Sequence, residues 1–310
     1  MYREILEHFD EHSIPDLDVA VLSALELFER TIFPAFPLGT LKKPLVLGSG
    51  NAGVVGKRLF GNQDAYFADE STFEYVLAMH DDHITSAVLI SASGGKDAVH
   101  IAQRLREKQI PLWLLTNNEN APAGGFVEPA HIVVFPKNRE PYTYNVSTYM
   151  GMILSKTHEN PVAIKHFITD VVDTRIPNTL AQYNAFYLIL PPQLIPMKDM
   201  FSSKFDELFG SRVSARVFTL EQSKHAKTVV PSDTEAFISF GEENSTFGNE
   251  KTRFHIPLPE NAGYAAMMAI GYFVIGQIQK QHRPYFKDNI KEYTKKASEI
   301  FRETISVIVE

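Results

Sequence analysis

The chain has 310 residues, 44% of them hydrophobic, with 30 Lys and Arg against 37 Asp and Glu, a formal charge of −7 and no cysteine. This length exceeds one ordinary core and calls for about two domains of roughly 150 residues each. The acidic balance argues against a general nucleic-acid binder, which needs a concentrated cationic face, and the lack of cysteine excludes disulfides, thiolate metal sites and a cysteine nucleophile.

The opening, MYREILEHFDEH, is charged every few residues and lacks the apolar core of a secretion signal. Residues 1–40 read as leading helices with a break at Pro15. From about residue 44, short apolar runs alternate with helical periodicity, the pattern of a parallel sheet covered by helices. PLVLGSG, AYFAD, SAVLISAS, PLWLLTN and HIVVFP read as strands. AGVVGKRLFG, DESTFEYVLAMHDD and DAVHIAQRLREKQ read as the helices between them, the last with Ala98, Ile101, Ala102 and Leu105 on one face. NVSTYMGMILSKTH closes this unit as a helix. After the polar stretch DTRIPNTLAQ the alternation restarts with AFYLILPP, a helix around KDMFSSKFDELFG, then RVSARVFTLEQ, TEAFISFGE and TRFHIPLP.

The longest apolar run, Gly263 to Gly276, is shorter than the ~18 residues of a membrane span and reads as a buried helix. The tail DNIKEYTKKASEIFRETISVIVE is charged and amphipathic. These readings give N-terminal helices over 1–40, a first α/β domain over 41–168, a linker over 169–180, a second α/β domain over 181–285 and a helical tail over 286–310. The expected protein is soluble and cytoplasmic, with no membrane or nucleic-acid partner.

In open parallel sheets ligands sit beyond the carboxyl ends of the strands. Two loops there are rich in small residues: GSGNAG, carrying Ser49, Gly50 and Asn51, and SASGGKD, carrying Ser91, Ser93 and Lys96. Helix N-terminal amides, glycines that admit close approach and serine hydroxyls together suit a phosphate. Lys96 adds a full positive charge where the helix dipole disfavours one, a cost that an anion nearby would offset. The same residues also suit a plain capped turn. GSGNAGVVG is a near miss to the dinucleotide fingerprint, and Asp69 stands about where a ribose acceptor would be expected, so spacing alone leaves that reading open. HDDH, His80 to His83, reads as a solvated helix end rather than a metal pair.

SASGGKDAVHIAQRLREKQIPLWLLTNN resembles the signature of the sugar isomerase (SIS) domain, in which a strand ends in Ser-x-Ser-Gly-x-Thr and the strand after the next helix ends in Thr-Asn. LVLGSGNAGVVGKRLF resembles the Gly-rich loop of bifunctional phosphoglucose/phosphomannose isomerases. EPYTYNVSTYMGMIL is similar to the family's Glu-x-x-Val-Ala-Ser-Thr-Lys segment, which puts Ser147 at the position of a sugar-contacting serine. SSKFDELFGSRVSARVFTLEQSKHAK resembles the Lys-x-x-Glu and Glu-Leu-Lys-His-Gly elements of double-SIS enzymes such as the isomerase part of glucosamine-6-phosphate synthase. That match places Lys204 and Glu207 in the first element, and Glu221, Lys224 and His225 in the second.

The resemblance implies two tandem SIS-type, flavodoxin-like, three-layer α/β/α domains with parallel sheets. It implies an aldose–ketose isomerase acting on a hexose 6-phosphate through an enediol. Glu207 would be the C1/C2 base, and His225, given across a homodimer, the ring-opening acid/base. Ser49, Gly50, Asn51, Ser91, Ser93, Lys96 and Ser147 would bind the sugar phosphate. No metal or organic cofactor is required. An aminosugar-phosphate deaminase or deglycase, or a non-catalytic phosphosugar sensor, would use the same pocket. Three positions depart from the family: Lys96 replaces its usual Thr, only Arg139 lies near the place of an enediolate-steadying arginine, and Ile305 occupies the place of the synthase's ring-opening lysine.

Overall fold

The computed structural model describes residues 1–36, 39–225 and 230–310, and the last two residues of the SSKFDELFGSRVSARVFTLEQSKHAK segment lie outside them. Two compact units share the chain. The smaller comprises 31–137 and 148–158, the larger 1–30, 138–147 and 159–310.

The larger unit begins with α1 (Tyr2–His8) and α2 (Leu17–Phe28), separated around Pro15. The chain then builds the smaller unit from β1 (Leu45–Leu47), α3 (Asn51–Phe60), β2 (Tyr66–Ala68), α4 (Phe73–His80), β3 (Ala87–Ile90), α5 (Asp97–Glu107), β4 (Leu112–Thr116) and β5 (Ile132–Val134). The five strands pair in parallel in the order β2-β1-β3-β4-β5. β3 is buried at every position, which is why SAVLI reads as a continuous apolar run and not an alternating one. On one face Leu45, Leu47, Leu89 and Leu114 pack with Phe73 and Leu77 of α4 and with Ile101 and Leu105 of α5. The crossovers reverse direction between β1 and β3, the place where an open α/β sheet leaves a crevice.

β6 (Glu140–Pro141) leads into α6 (Val146–Thr157), the helix read from NVSTYMGMILSKTH. α7 (Pro161–Phe167) follows, capped by Asn160, and the stretch expected as a linker continues as short π and 3-10 turns from Ile168 to Arg175. The second sheet is made of β7 (Ala185–Ile189), β8 (Ser214–Phe218), β9 (Glu235–Phe240) and β10 (Arg253–Ile256), all parallel, in the order β10-β9-β7-β8. Numbered from its own first strand this is 2-1-3-4, the order of the first four strands of the other sheet. α8 (Lys198–Phe209) follows β7, and the run RVSARVFTLEQ divides into β8 and the single-turn α9 (Leu220–Ser223) because Thr219 and Gln222 form a capping box. α10 (Tyr264–Gln281) is buried on nearly every side and packs on α2, α8 and the turns beside them.

α11 (Tyr285–Phe301) packs on α8, and the tail then leaves the helix: β11 (Ile308–Val309) pairs antiparallel with β6. The expected helical tail therefore ends as a strand, in keeping with the β-branched run in SVIVE. No helix among the described residues is long and apolar enough to cross a membrane.

Candidate active site

Leu47 of β1 lies in register with Leu89 of β3, so the loops GSGNAG and SASGGKD leave the sheet side by side at the switch point. Ser91 Oγ accepts the N–H of Gly94 at 3.1 Å and Ser93 Oγ that of Gly95 at 3.2 Å, which leaves each hydroxyl proton free to donate elsewhere. From β4, Thr116 donates to Ala92 O at 2.9 Å and Asn118 Nδ2 to Ser93 O at 2.9 Å, fixing the loop on its open side. Asn117 is buried, its Nδ2 bonded to Phe135 O at 3.0 Å, while its Oδ1 has no partner among the described residues. The residues of TNN thus frame the loop, a role their place at the end of a strand signals. In the first loop Ser49 donates to Glu70 Oε2 at 2.5 Å, and Asn51 opens α3 with a buried Oδ1 that also lacks a partner among the described residues.

The two loops share an unusual backbone. Gly50 caps α3 at φ 52, ψ −122, and Lys96 caps α5 at φ 52, ψ −131. Glycine occupies this conformation freely, whereas an L-residue with a side chain is strained there by about 1–3 kcal/mol. The chain thus holds a lysine in the conformation its sister loop gives to glycine, at the positive end of an eleven-residue helix.

The residues of the Lys-x-x-Glu element lie on α8 of the larger unit, one turn apart. Lys204 is fully buried and its Nζ spends all three protons: on Thr143 O at 2.6 Å, Tyr144 O at 3.0 Å and Glu207 Oε2 at 2.5 Å. The accepting turn is itself strained, with Thr143 at φ 74 and Asn145 at φ 47. Glu207 is about one quarter exposed, and its second oxygen has no hydrogen-bond partner among the described residues. It faces a groove of about 220 Å³ between α8 and α11, lined also by Phe286, Ile290 and Tyr293. Burial, then the charges of Tyr293, Glu303 and Glu207, push the Tyr142 phenol up to about 12.

The other expected residues fall elsewhere. Ser147 is fully buried: its Oγ accepts the N–H of Asn138 at 2.9 Å, and its own N–H donates to Glu140 Oε1 at 2.8 Å. Glu140, the first residue of the EPYTYNVST segment and given no role by the sequence, caps α6 through Val146 and Ser147, and burial pushes its carboxyl up from the ordinary value against those bonds. His225 is exposed in the turn after α9 and is not among the residues lining the Glu207 groove; Glu221 and Lys224 pair with each other at the surface at 2.6 Å. Asp69 accepts four bonds at Oδ1, from the N–H and hydroxyl of both Ser71 and Thr72, which hold it down to about 2; this carboxylate starts α4, a local job that removes the reason to read it as a ribose acceptor. Arg139 is committed to Glu310 and to the carbonyls of Leu6 and Phe9. His80 ends α4 with its ring stacked on Tyr66, centroids 4.3 Å apart.

No protein-family model matches the chain, and no curated protein matches it. Solved structures do. The glucosamine-6-phosphate deaminase from Thermotoga maritima aligns with a TM-score of 0.60 at 10% identity, covering 86% of this chain and 93% of that one. The tagatose-6-phosphate ketose/aldose isomerase from Escherichia coli aligns with a TM-score of 0.56 at 11% identity, covering 87% and 89%. The C-terminal domain of glucosamine-fructose-6-phosphate aminotransferase from Francisella tularensis gives 0.53 at 11% identity, covering 84% and 92%. At these identities the likeness is one of architecture alone: the chain shares its fold with these sugar-phosphate proteins.

Proposed function

We propose that the chain binds a phosphorylated sugar at the loops after β1 and β3 and interconverts the aldose and ketose forms of a hexose 6-phosphate. The observation that carries this reading is Lys96, held in a strained conformation at the N-terminus of α5 beside Ser91, Ser93 and the matching Gly50 cap. Strain of this size persists where a function uses it, and an anion on the helix end is the partner that rewards a cation placed there. Asn51, Ser91 and Ser93 supply hydroxyl and amide donors; the Ser49 hydroxyl is given to Glu70 and Ser147 is buried on Asn138 and Glu140, so neither side chain is counted among the sugar contacts. The tagatose-6-phosphate ketose/aldose isomerase and the glucosamine-6-phosphate deaminase that share the fold act on the same class of substrate.

For the chemistry, an enediol requires one carboxylate that reaches both C1 and C2, and a second acid/base at the ring oxygen. Glu207 has one oxygen anchored on Lys204 and one unengaged, which suits a base that must keep its orientation while it carries a proton. His225 is the ring-opening group in this reading, supplied by the second subunit of a cytoplasmic homodimer. The proton transfers need neither a metal nor an organic cofactor. The exposed position of His225, outside the Glu207 groove, favours as second reading a phosphosugar sensor with no turnover.

The test is thermal stabilisation by glucose, fructose, mannose and glucosamine 6-phosphates and arabinose 5-phosphate, followed by NMR detection of isomer exchange. A ligand at 100 times its Kd adds about 2.7 kcal/mol. Stabilisation by one of these, lost in Ser93→Ala, with exchange of that sugar lost in Glu207→Gln, is the expected result. Stabilisation without exchange selects the sensor, and stabilisation by none of them overturns the phosphate site.

A further inference from the structure

The larger unit carries a second cavity, of about 230 Å³, beside the amino ends of β7 and β8. No carboxylate lines it, although acids outnumber bases 37 to 30 in the chain. Two guanidiniums do, Arg212 and Arg283, and neither belongs to an ion pair among the described residues. Its walls are aromatic, made by Tyr183, Phe209 and Tyr285. Arg212 lies over the Tyr285 ring at 5.0 Å from the centroid, a stacking that leaves the N–H edge of the guanidinium free to grip an anion in two-pronged fashion. Tyr285 is held in place by the end of α8: Gly210 sits at φ 56, and a Cβ there would come within 2.7 Å of the Tyr285 hydroxyl. His282, at the back, is fixed by its Nε2 on Leu180 O at 3.1 Å and by its ring against Phe209.

From this arrangement we propose a second anion site, built for a small phosphate monoester bearing one flat ring. Two guanidiniums without a carboxylate select the phosphate, the aromatic lining favours a ring over a polar group, and the volume, below the ~300 Å³ at which drug-sized pockets begin, limits the ligand to one ring. The site uses none of the glycine-rich loop residues and does not depend on the sugar-phosphate reading. Tyr285 also lines the Glu207 groove, so a ligand here touches a wall of that groove.

The experiment is calorimetric titration of the full chain with phenyl phosphate, inorganic phosphate and phenol. Phenyl phosphate should bind about tenfold more tightly than either fragment, and the double substitution Arg212→Gln with Arg283→Gln should weaken it about tenfold. Both arginines are exposed, so the double variant should keep the wild-type circular dichroism and melting temperature. Ser93→Ala should leave phenyl phosphate binding unchanged. Absence of binding, binding indifferent to the arginine substitutions, or binding lost in Ser93→Ala instead would each overturn the proposal.

Discussion

Lys204 Nζ stands 2.5 Å from Glu207 Oε2, with the carbonyls of Thr143 and Tyr144 taking its other two protons. An ammonium without exposure is tolerable only when every proton is placed, and here the placement also orients the carboxylate and pins the strained turn at Thr143. The two residues that the Lys-x-x-Glu resemblance set side by side are thus one device.

Removing half of that device should be expensive. Lys204→Met leaves two buried carbonyls and Glu207 without their donor and should destabilise the fold by about 3–5 kcal/mol. Adding Glu207→Leu should recover part of this loss, because the pair is then removed and only the carbonyls stay unpaired. Urea unfolding of the wild type, the single and the double variant measures the cycle.

Glu207→Gln keeps an oxygen acceptor for Lys204 and abolishes the base. Isomer exchange should fall by at least about a hundredfold, with sugar-phosphate stabilisation retained, since general-base catalysis contributes about 10²–10⁴-fold. Equal loss of binding and turnover would assign Glu207 to holding the sugar and not to moving its proton.

Lys96→Gly separates strain from function. Relief of the left-handed strain, offset by the greater freedom of glycine in the unfolded chain, should raise unfolding stability by about 1 kcal/mol. The same change should weaken phosphate binding. A variant that is both less stable and ligand-blind would show that Lys96 supports the fold and not the ligand.

Asp69 gives a pH signature. Its folded value of about 2, set first by the hydroxyls of Ser71 and Thr72, lies below the ordinary 3.8. A depressed carboxylate contributes stability that is complete above the unfolded value and is lost as pH falls through the folded one. The wild type should therefore exceed Asp69→Asn in melting temperature at pH 7. The gap should close between pH 3.8 and about 2. A gap that persists at the acid end would mean that shape and not charge makes the cap.

Much of the smaller unit was legible because its information is local. Strand after strand is a short apolar run ending in a turn, and Leu45 to Val134 follow that reading in order. Lys96 was visible as an oddity of charge at a helix start, and the structure adds that it is also an oddity of backbone. Glu140 was legible only as the first residue of the EPYTYNVST segment: its role, accepting the amides of Val146 and Ser147, was not, since no spacing rule marks a carboxylate that caps a helix six residues on. The commitments of Ser147 and Arg139 were equally hidden, since a serine and an arginine look alike in sequence whether bonded to a ligand or to a distant piece of backbone.

The sequence by itself determined the class of fold, the two runs of α/β alternation and the two small-residue loops, because hydrophobic period and turn chemistry act over a few residues. Tertiary structure alone decided that 1–30 and 138–147 join 159–310 in one compact unit, that the C-terminal tail turns from helix to strand against β6, and that Lys204 is consumed while an oxygen of Glu207 is left open. Those outcomes depend on which backbone groups meet across 60 or more residues. Burial makes each such meeting obligatory for a polar group, and no local pattern records it.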